Sequence, residues 1–317
     1  WAPDRNDEYL FYQALLGAWP AEADSAPVPE HAPGDMADRL AVYVHKAARE
    51  AKVHTSWIHE NEEYDRAVGQ FVHRTLMGRT AKRFLATFVP FERRVARAGM
   101  VNSLAQLVLK LASPGVPDFY QGTELWDLSL VDPDNRRPVD FAARQALLEG
   151  LRPAIDRIDT GCDATDDVAA LLERWSDGAI KLFVTTCGLR FRREHAGLLL
   201  GGDYHALESE GPAADHLVAF ARHDSSGTLL AIVPRLVMSL PTDNRSVPRH
   251  PDIWASTRIL LPTWAGSVRY RHVLTGETVE AFENHLPAAA VFRTSPVALL
   301  WADASATGSE RDAASEG

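Results

Sequence analysis

The apolar residues of this 317-residue chain change period near residue 200. Before that point they recur every three to four positions, the spacing of an α-helix with one buried stripe; after it they fall in short β-prone runs bounded by turn residues. One pattern cannot serve as the other, because a helix period laid on a strand scatters its apolar side chains over both faces. The chain is therefore expected to be mixed, helical first and antiparallel β afterwards.

The helical part is read as follows. DEYLFYQALLGAW, after a possible cap at Asn6, places Tyr9, Leu10, Leu15 and Leu16 at roughly helical spacing, with Gly17 and Pro20 as stops. A proline-rich loop over residues 21–34 follows. DMADRLAVYVHKAAREA sets Met36, Leu40, Val44 and Ala47 on one stripe, and ENEEYDRAVGQFVHRTL does the same with Tyr64, Val68, Phe71 and Val72. From Thr80 to Ala112 the sequence is almost continuously helix-forming, and Pro90 is expected to kink or break it.

At Ser113-Pro-Gly the period is lost, and VPDFY reads as a short buried strand. FAARQALLEGLRPAI (141–155) supplies a following helix. IKLFVTTCGLRFRREH is rich in β-formers, but Ile180, Phe183, Val184, Cys187 and Phe191 keep helical spacing, so a helix ended by Gly197 is predicted. Its arginines 190, 192 and 193 read as a solvated face. HLVAFAR and TLLAIV flank Asp-Ser-Ser-Gly as a hairpin, and RILL, VRYRHVL and PVALLW continue the strands, which predicts an antiparallel β-sandwich from about 200 to 302.

Composition removes several function classes. No apolar run approaches the ~18–20 residues that span a bilayer, so no membrane partner is expected. A formal charge of −10 argues against nucleic acid, whose binding rests on clustered Lys and Arg. Cys162 and Cys187 stand far apart in no metal-ligand spacing, which suits a reducing cytoplasm and indicates neither a disulfide framework nor a metal.

PGVPDFYQGTEL resembles the last-strand signature of the α-amylase superfamily, and WDLSLVDPDNRRPVDF is similar to the maltooligosyltrehalose synthase family within it. EYLFYQALLGAWP, HTSWIHENEEY, FRREH followed by GGDYHAL, and VLTG resemble the same family in the same order. The resemblance implies the carboxyl-terminal part of a (β/α)8 barrel with a helical insertion, followed by the β-sandwich. Residues 1–95 would be the helical insertion, 96–198 the last β/α unit and following helices, 199–302 the β-domain and 303–317 a disordered tail. It further implies an isomerase: intramolecular transglucosylation of a maltooligosaccharide, its reducing-end α-1,4 linkage becoming α,α-1,1, without a cofactor.

The superfamily's nucleophile, acid/base and third carboxylate motifs are not recognised in these residues, so no catalytic residue is assigned in this chain. They are expected on a missing amino-terminal barrel portion preceding Trp1, and the fragment alone is expected to be inactive. Retaining sugar chemistry needs two carboxyls about 5–5.5 Å apart. Asp118 and Glu124 are a weaker candidate pair, six positions apart across a turn. Tyr120, Gln121 and Glu124 are expected at a strand's carboxyl end, where barrel sites form and where an aromatic face, an amide and a carboxylate suit glucose. The competing reading has Tyr120 in a core and Gln121 capping a loop. In the loop with Asp134, either Arg136 or Arg137 is expected to reach toward the site while the other makes a loop ion pair with Asp132 or Asp134. His54 and Trp57 are candidates for a hydrogen bond and a stacking platform, against simple packing. Trp254 and Trp264 read as β-domain core rather than glucan contacts. Two other classes compete: a non-catalytic glucan-binding or interaction module, and another superfamily hydrolase or isomerase.

Overall fold

The computed structural model describes residues 2–22, 25–240, 251–265 and 269–304. The tail expected from 303 lies, beyond residue 304, outside the described residues. The chain forms two compact units, Trp1–Ala96 with Asp127–Val139, and Arg97–Trp126 with Asp140–Gly317.

The first unit is helical. Helix α1 (Arg5–Ala18) is capped by Asp4, whose carboxylate accepts from the N–H groups of Asn6 and Asp7. Asn6, the expected cap, thus lies inside the helix: the carboxylate two positions earlier reaches the orphan donors. Its buried stripe is Phe11, Leu15 and Ala18, the i, i+4, i+7 face, while Tyr9 is 64% exposed. Helices α2 (Met36–Ala51) and α3 (Glu62–Met77) bury the predicted Met36, Leu40, Val44, Tyr64, Val68 and Val72 against it. Helix α4 (Ala81–Ala112) is continuous through Pro90, contrary to the expected interruption. Pro90 and Ala86, whose carbonyl loses its donor to the pyrrolidine, are both exposed, so water can serve that carbonyl.

In the second unit, α4 from Arg97 onward presents Val101, Leu104, Val108 and Leu111 as a buried face. Helices α5 (Phe141–Asp159) and α6 (Thr165–Glu173) pack on α7 (Ala179–Glu194). Residues 180–194 are helical as the spacing required, with Ile180, Phe183, Val184, Cys187 and Phe191 buried. The helix ends at His195, not Gly197, and α8 (Ala196–Gly201) starts at once. Arg192 is not a solvated side chain: it donates to the carbonyl oxygens of Leu111 at 2.6 Å and of Gly115.

All strand pairing is antiparallel. Strands β1 (Asp203–Leu207), β3 (Leu217–Asp224), β4 (Gly227–Pro234), β9 (Ala298–Asp303), β6 (Arg269–His272) and β7 (Thr278–Glu280) form one sheet in that spatial order. A second sheet holds β2 (Ser209–Glu210), β5 (Arg258–Leu260) and β8 (His285–Pro287) in the order β2-β5-β8. Asp224 pairs with Gly227, so the hairpin closes on the two residues Ser225 and Ser226 and not on the four-residue loop expected from Asp-Ser-Ser-Gly. Trp254 is fully buried with its ring centroid 4.7 Å from that of Phe292, and Trp264 lies 4.4 Å from the His223 ring.

Arg222, in β3, is 1% exposed and forms no ion pair among the described residues. Instead all five of its guanidinium N–H donors are used on carbonyl oxygens: Asp203 at 3.2 Å, Ala112 at 3.2 Å, Leu199 at 3.0 Å, Leu198 at 3.1 Å and Gly202 at 2.7 Å. The Ala112, Leu198 and Leu199 carbonyls lie at helix ends, where partial negative charge favours a cation, and Leu198 also accepts from the Gly202 N–H. Replacing Arg222 with Met should cost about 3–5 kcal/mol of unfolding free energy, because the buried carbonyls lose a charged donor. A denaturant midpoint within error of the unmodified protein would contradict this.

Candidate functional site

Residues 113–126 form no strand, and the expected buried strand at VPDFY is corrected: Val116 is 85% and Tyr120 73% exposed. A strand exists only where a neighbour completes its ladder, and none of the nine described strands runs beside this segment. Its carbonyls are served by long cationic side chains instead. Arg192 holds Gly115, Lys110 holds Asp118 at 3.0 Å, Arg144 holds Gly122 at 2.8 Å and Lys181 holds Leu125 at 3.0 Å. The Lys110 ammonium lies 3.8 Å from the Phe119 ring centroid, and the Trp126 indole donates to the Trp175 carbonyl at 2.6 Å. Gly178, with φ +75°, lets Leu125 pass close, since a Cβ there would lie 3.1 Å from the Leu125 Cβ.

Within this held segment, residues 120–123 make a turn. Both the Thr123 N–H, at 3.1 Å, and its hydroxyl, at 2.6 Å, donate to the Tyr120 carbonyl. Gly122 has φ +92°, at the position where a type II turn requires the left-handed region. The turn lifts Tyr120 and Gln121 into solvent, so the core role for Tyr120 is not realised. Behind them Arg144 Nε holds the Glu124 carboxylate at 3.0 Å. A phenol ring, an amide and a carboxylate thus sit on one short stretch braced by Arg144.

In the first unit, the loop 127–139 is organised around Asp134. Arg39 donates to it through Nε at 2.8 Å and Nη2 at 2.9 Å, and the Leu130 N–H at 2.7 Å. Burial raises the Asp134 carboxyl pKa, but the Arg39 and Leu130 hydrogen bonds and the charges of Arg39 and Arg137 outweigh that, leaving it below the usual carboxylate range. Arg136 pairs with Asp132, and Arg137 lies 3.3 Å from Asp134. Both arginines therefore make loop ion pairs, where one was expected to. Arg136 remains 77% exposed at its side chain. Lys46 adds a bond to the Asp132 carbonyl at 2.7 Å.

Elsewhere in the same unit His54 Nε2 lies 2.8 Å from Asp4, and its ring is 4.6 Å from that of Tyr64. The Tyr64 hydroxyl donates to Asp7 at 2.6 Å. The Asp7 N–H and His54 together hold the Asp4 carboxyl below its usual range. Trp57 is not packing inside a core: it is 53% exposed, with the Arg49 guanidinium 5.0 Å from its ring centroid. A cavity of about 920 Å³, which the sequence did not announce, lies in this unit among Tyr9, Tyr12, Gln13, Arg83, Phe84 and Phe88.

Sequence reasoning missed Arg39, Lys110, Arg144 and Lys181. Each acts on backbone or carboxylate groups of a loop through tertiary contact, and Arg39 meets Asp134 across 95 positions, so no local spacing marks it. Replacing Arg144 with Met removes the brace behind the turn, a charged hydrogen-bond set of about 1.5–3 kcal/mol. Amide exchange at Thr123 should then quicken by about tenfold or more, and unchanged protection would refute the bracing role.

No family model matches the chain. A curated relative, "Putative maltooligosyl trehalose synthase" of Mycobacterium tuberculosis (strain H37Rv), is 33% identical over 302 residues, which are 95% of this chain and 32% of the relative. The solved maltooligosyltrehalose synthase of Arthrobacter ramosus is 34% identical with a TM-score of 0.67, over 92% of this chain and 32% of that one. A hypothetical maltooligosyl trehalose synthase of Sulfolobus tokodaii is 25% identical with a TM-score of 0.61, over 94% and 32%. The chain spans about a third of the length of the relatives it matches. Over 302 residues the chain is thus similar to a carboxyl-terminal part of maltooligosyltrehalose synthases.

Proposed function

We propose that the chain serves as the carboxyl-terminal part of an isomerase that converts the reducing-end α-1,4 linkage of a maltooligosaccharide into an α,α-1,1 linkage. The observation that carries this is the solvent-facing Tyr120–Gln121 turn, braced by Arg144, within a stretch similar to that family over nearly the whole chain. In this reading residues 1–95 are the helical insertion, 96–198 the part that belongs with the end of a (β/α)8 barrel, its segment 113–126 being irregular in this chain, and 199–302 a carboxyl-terminal sandwich.

The chemistry divides between these residues and a portion of the family outside them. The attacking carboxylate and the acid/base, which must stand about 5–5.5 Å apart, are supplied outside these residues. Tyr120 offers its ring to the apolar C–H face of a glucose unit, and Gln121 both donates to and accepts from its hydroxyls. Glu124, aligned by Arg144, accepts from a hydroxyl. Arg136, the more exposed of the loop arginines, offers a rigid fork of donors, while Arg137 and Asp134 order the loop that carries it. His54 and Trp57 are candidates for a hydrogen bond and a stacking platform to a sugar unit. Between cleavage and re-attack water must be kept out, a task for helical segments closing over the sugar. Two free cysteines suit a cytoplasmic setting. Among the described residues no helix is long and apolar enough to cross a membrane.

The test is turnover of maltopentaose. Alone, the chain should leave it unchanged. Expressed with the polypeptide bearing the family's carboxylates, it should consume reducing ends without releasing glucose. Tyr120→Ala should then lower kcat/KM by about 10–100-fold, the worth of one sugar-stacking contact of about 1.4–2.7 kcal/mol. Release of glucose or maltose would indicate a hydrolase, and binding without any turnover in the completed protein a non-catalytic module. Either result would contradict the proposal.

A further inference from the structure

A cavity of about 220 Å³ lies in the second unit where the end of α5, the last turns of α7 and the strands β6 and β9 meet. It shares no lining residue with the 113–126 segment. One wall is aromatic: the His195 ring is stacked 4.2 Å from Phe191 and lies 4.4 Å from the Trp301 ring. The rest of the lining carries charge. Asp159 is paired with Arg190, Arg271 is anchored on the Ile158 carbonyl, and the Glu194 carboxylate makes no hydrogen bond or ion pair among the described residues.

Three properties of this cavity narrow the ligand. Two carboxylates against two guanidiniums leave it without net formal charge, so neither an anion nor a cation is favoured. Burial pulls the His195 pKa down, and an imidazole that stays neutral does not upset that balance. The lining holds both acceptors, Asp159 and Glu194, and donors, Arg190 and Arg271, which suits groups that both give and take hydrogen bonds, such as adjacent hydroxyls. The aromatic wall, whose His195 and Trp301 planes are tilted by 48° to each other, suits an apolar C–H face at one ring. The volume falls below the about 300–1,000 Å³ of pockets that hold drug-sized ligands, so the occupant is small. We infer that this cavity binds a single hexopyranose unit, free or terminal, at a site separate from the Tyr120 turn and without chemistry on it. Its C–H face lies on the Trp301–His195 wall, and its hydroxyls bridge Glu194 and Arg271.

The inference does not depend on the isomerase reading, since it stands on the cavity alone. Saturation-transfer NMR of the chain with D-glucose, maltose, trehalose and inorganic phosphate tests it. Glucose or a terminal glucosyl unit should bind at about 1–10 mM, the affinity of a few hydrogen bonds and one stacked face. Glu194→Ala should weaken that binding about tenfold or more while the thermal midpoint stays in place, and Arg271→Met should weaken it by a similar factor. Glu194 is exposed and unpartnered among the described residues, so its substitution reads binding and not folding. Sugar binding insensitive to both variants, binding of phosphate in place of sugar, or no sugar binding at all would overturn the assignment.

Discussion

A single buried guanidinium fixes the helical and sheet parts of the second unit to each other. Arg222 leaves β3 and spends every donor on carbonyl oxygens, one at the last residue of α4, two within α8 and two at the entrance to β1. A buried charge without a carboxylate is expensive in isolation, but carbonyls at helix ends carry partial negative charge and need donors. The two deficits offset each other, and the result specifies where α4 must stop. The segment 113–126 begins at that point.

The same currency organises that segment. Having neither helix nor ladder, it would leave its carbonyls to water, yet Arg192, Lys110, Arg144 and Lys181 each take one. A flexible four-carbon or guanidinium stem can reach backbone that no strand can reach, so an irregular loop acquires a defined shape. The loop 127–139 in the first unit is built alike, with Arg39 and Lys46 donating to the Leu128 and Asp132 carbonyls and Arg39 gripping Asp134. The side chains of Tyr120 and Gln121 in the one segment and Arg136 in the other stay exposed, taking no part in holding the backbone.

Helices with one apolar stripe were legible because packing and periodicity agree: Met36, Leu40 and Val44 on α2 and Phe183, Val184 and Cys187 on α7 are buried at the predicted spacing. The β-rich composition of α7 yielded to that period. The antiparallel hairpin at Asp224–Gly227 was equally readable from its turn. Illegible features share a cause. The cap at Asp4, the uninterrupted α4 and the loss of a strand at 116–120 depend on which neighbour or solvent meets a backbone group. Arg39, Arg144 and Arg222 look like ordinary surface cations until their tertiary partners are known. In the candidate site, the exposed Tyr120–Gln121 pair was visible as residue types, whereas the brace beneath it was not.

The account rests on the turn at 120–123 presenting Tyr120 to a sugar face. Transfer of magnetisation from maltopentaose C–H protons to selectively labelled tyrosine rings in the protein completed by the family's carboxylate-bearing part reads this contact directly. The account predicts a transfer to the Tyr120 ring that vanishes in Tyr120→Ala. Transfer confined to other tyrosines, with the Tyr120 signal unmoved at saturating maltopentaose, would contradict it.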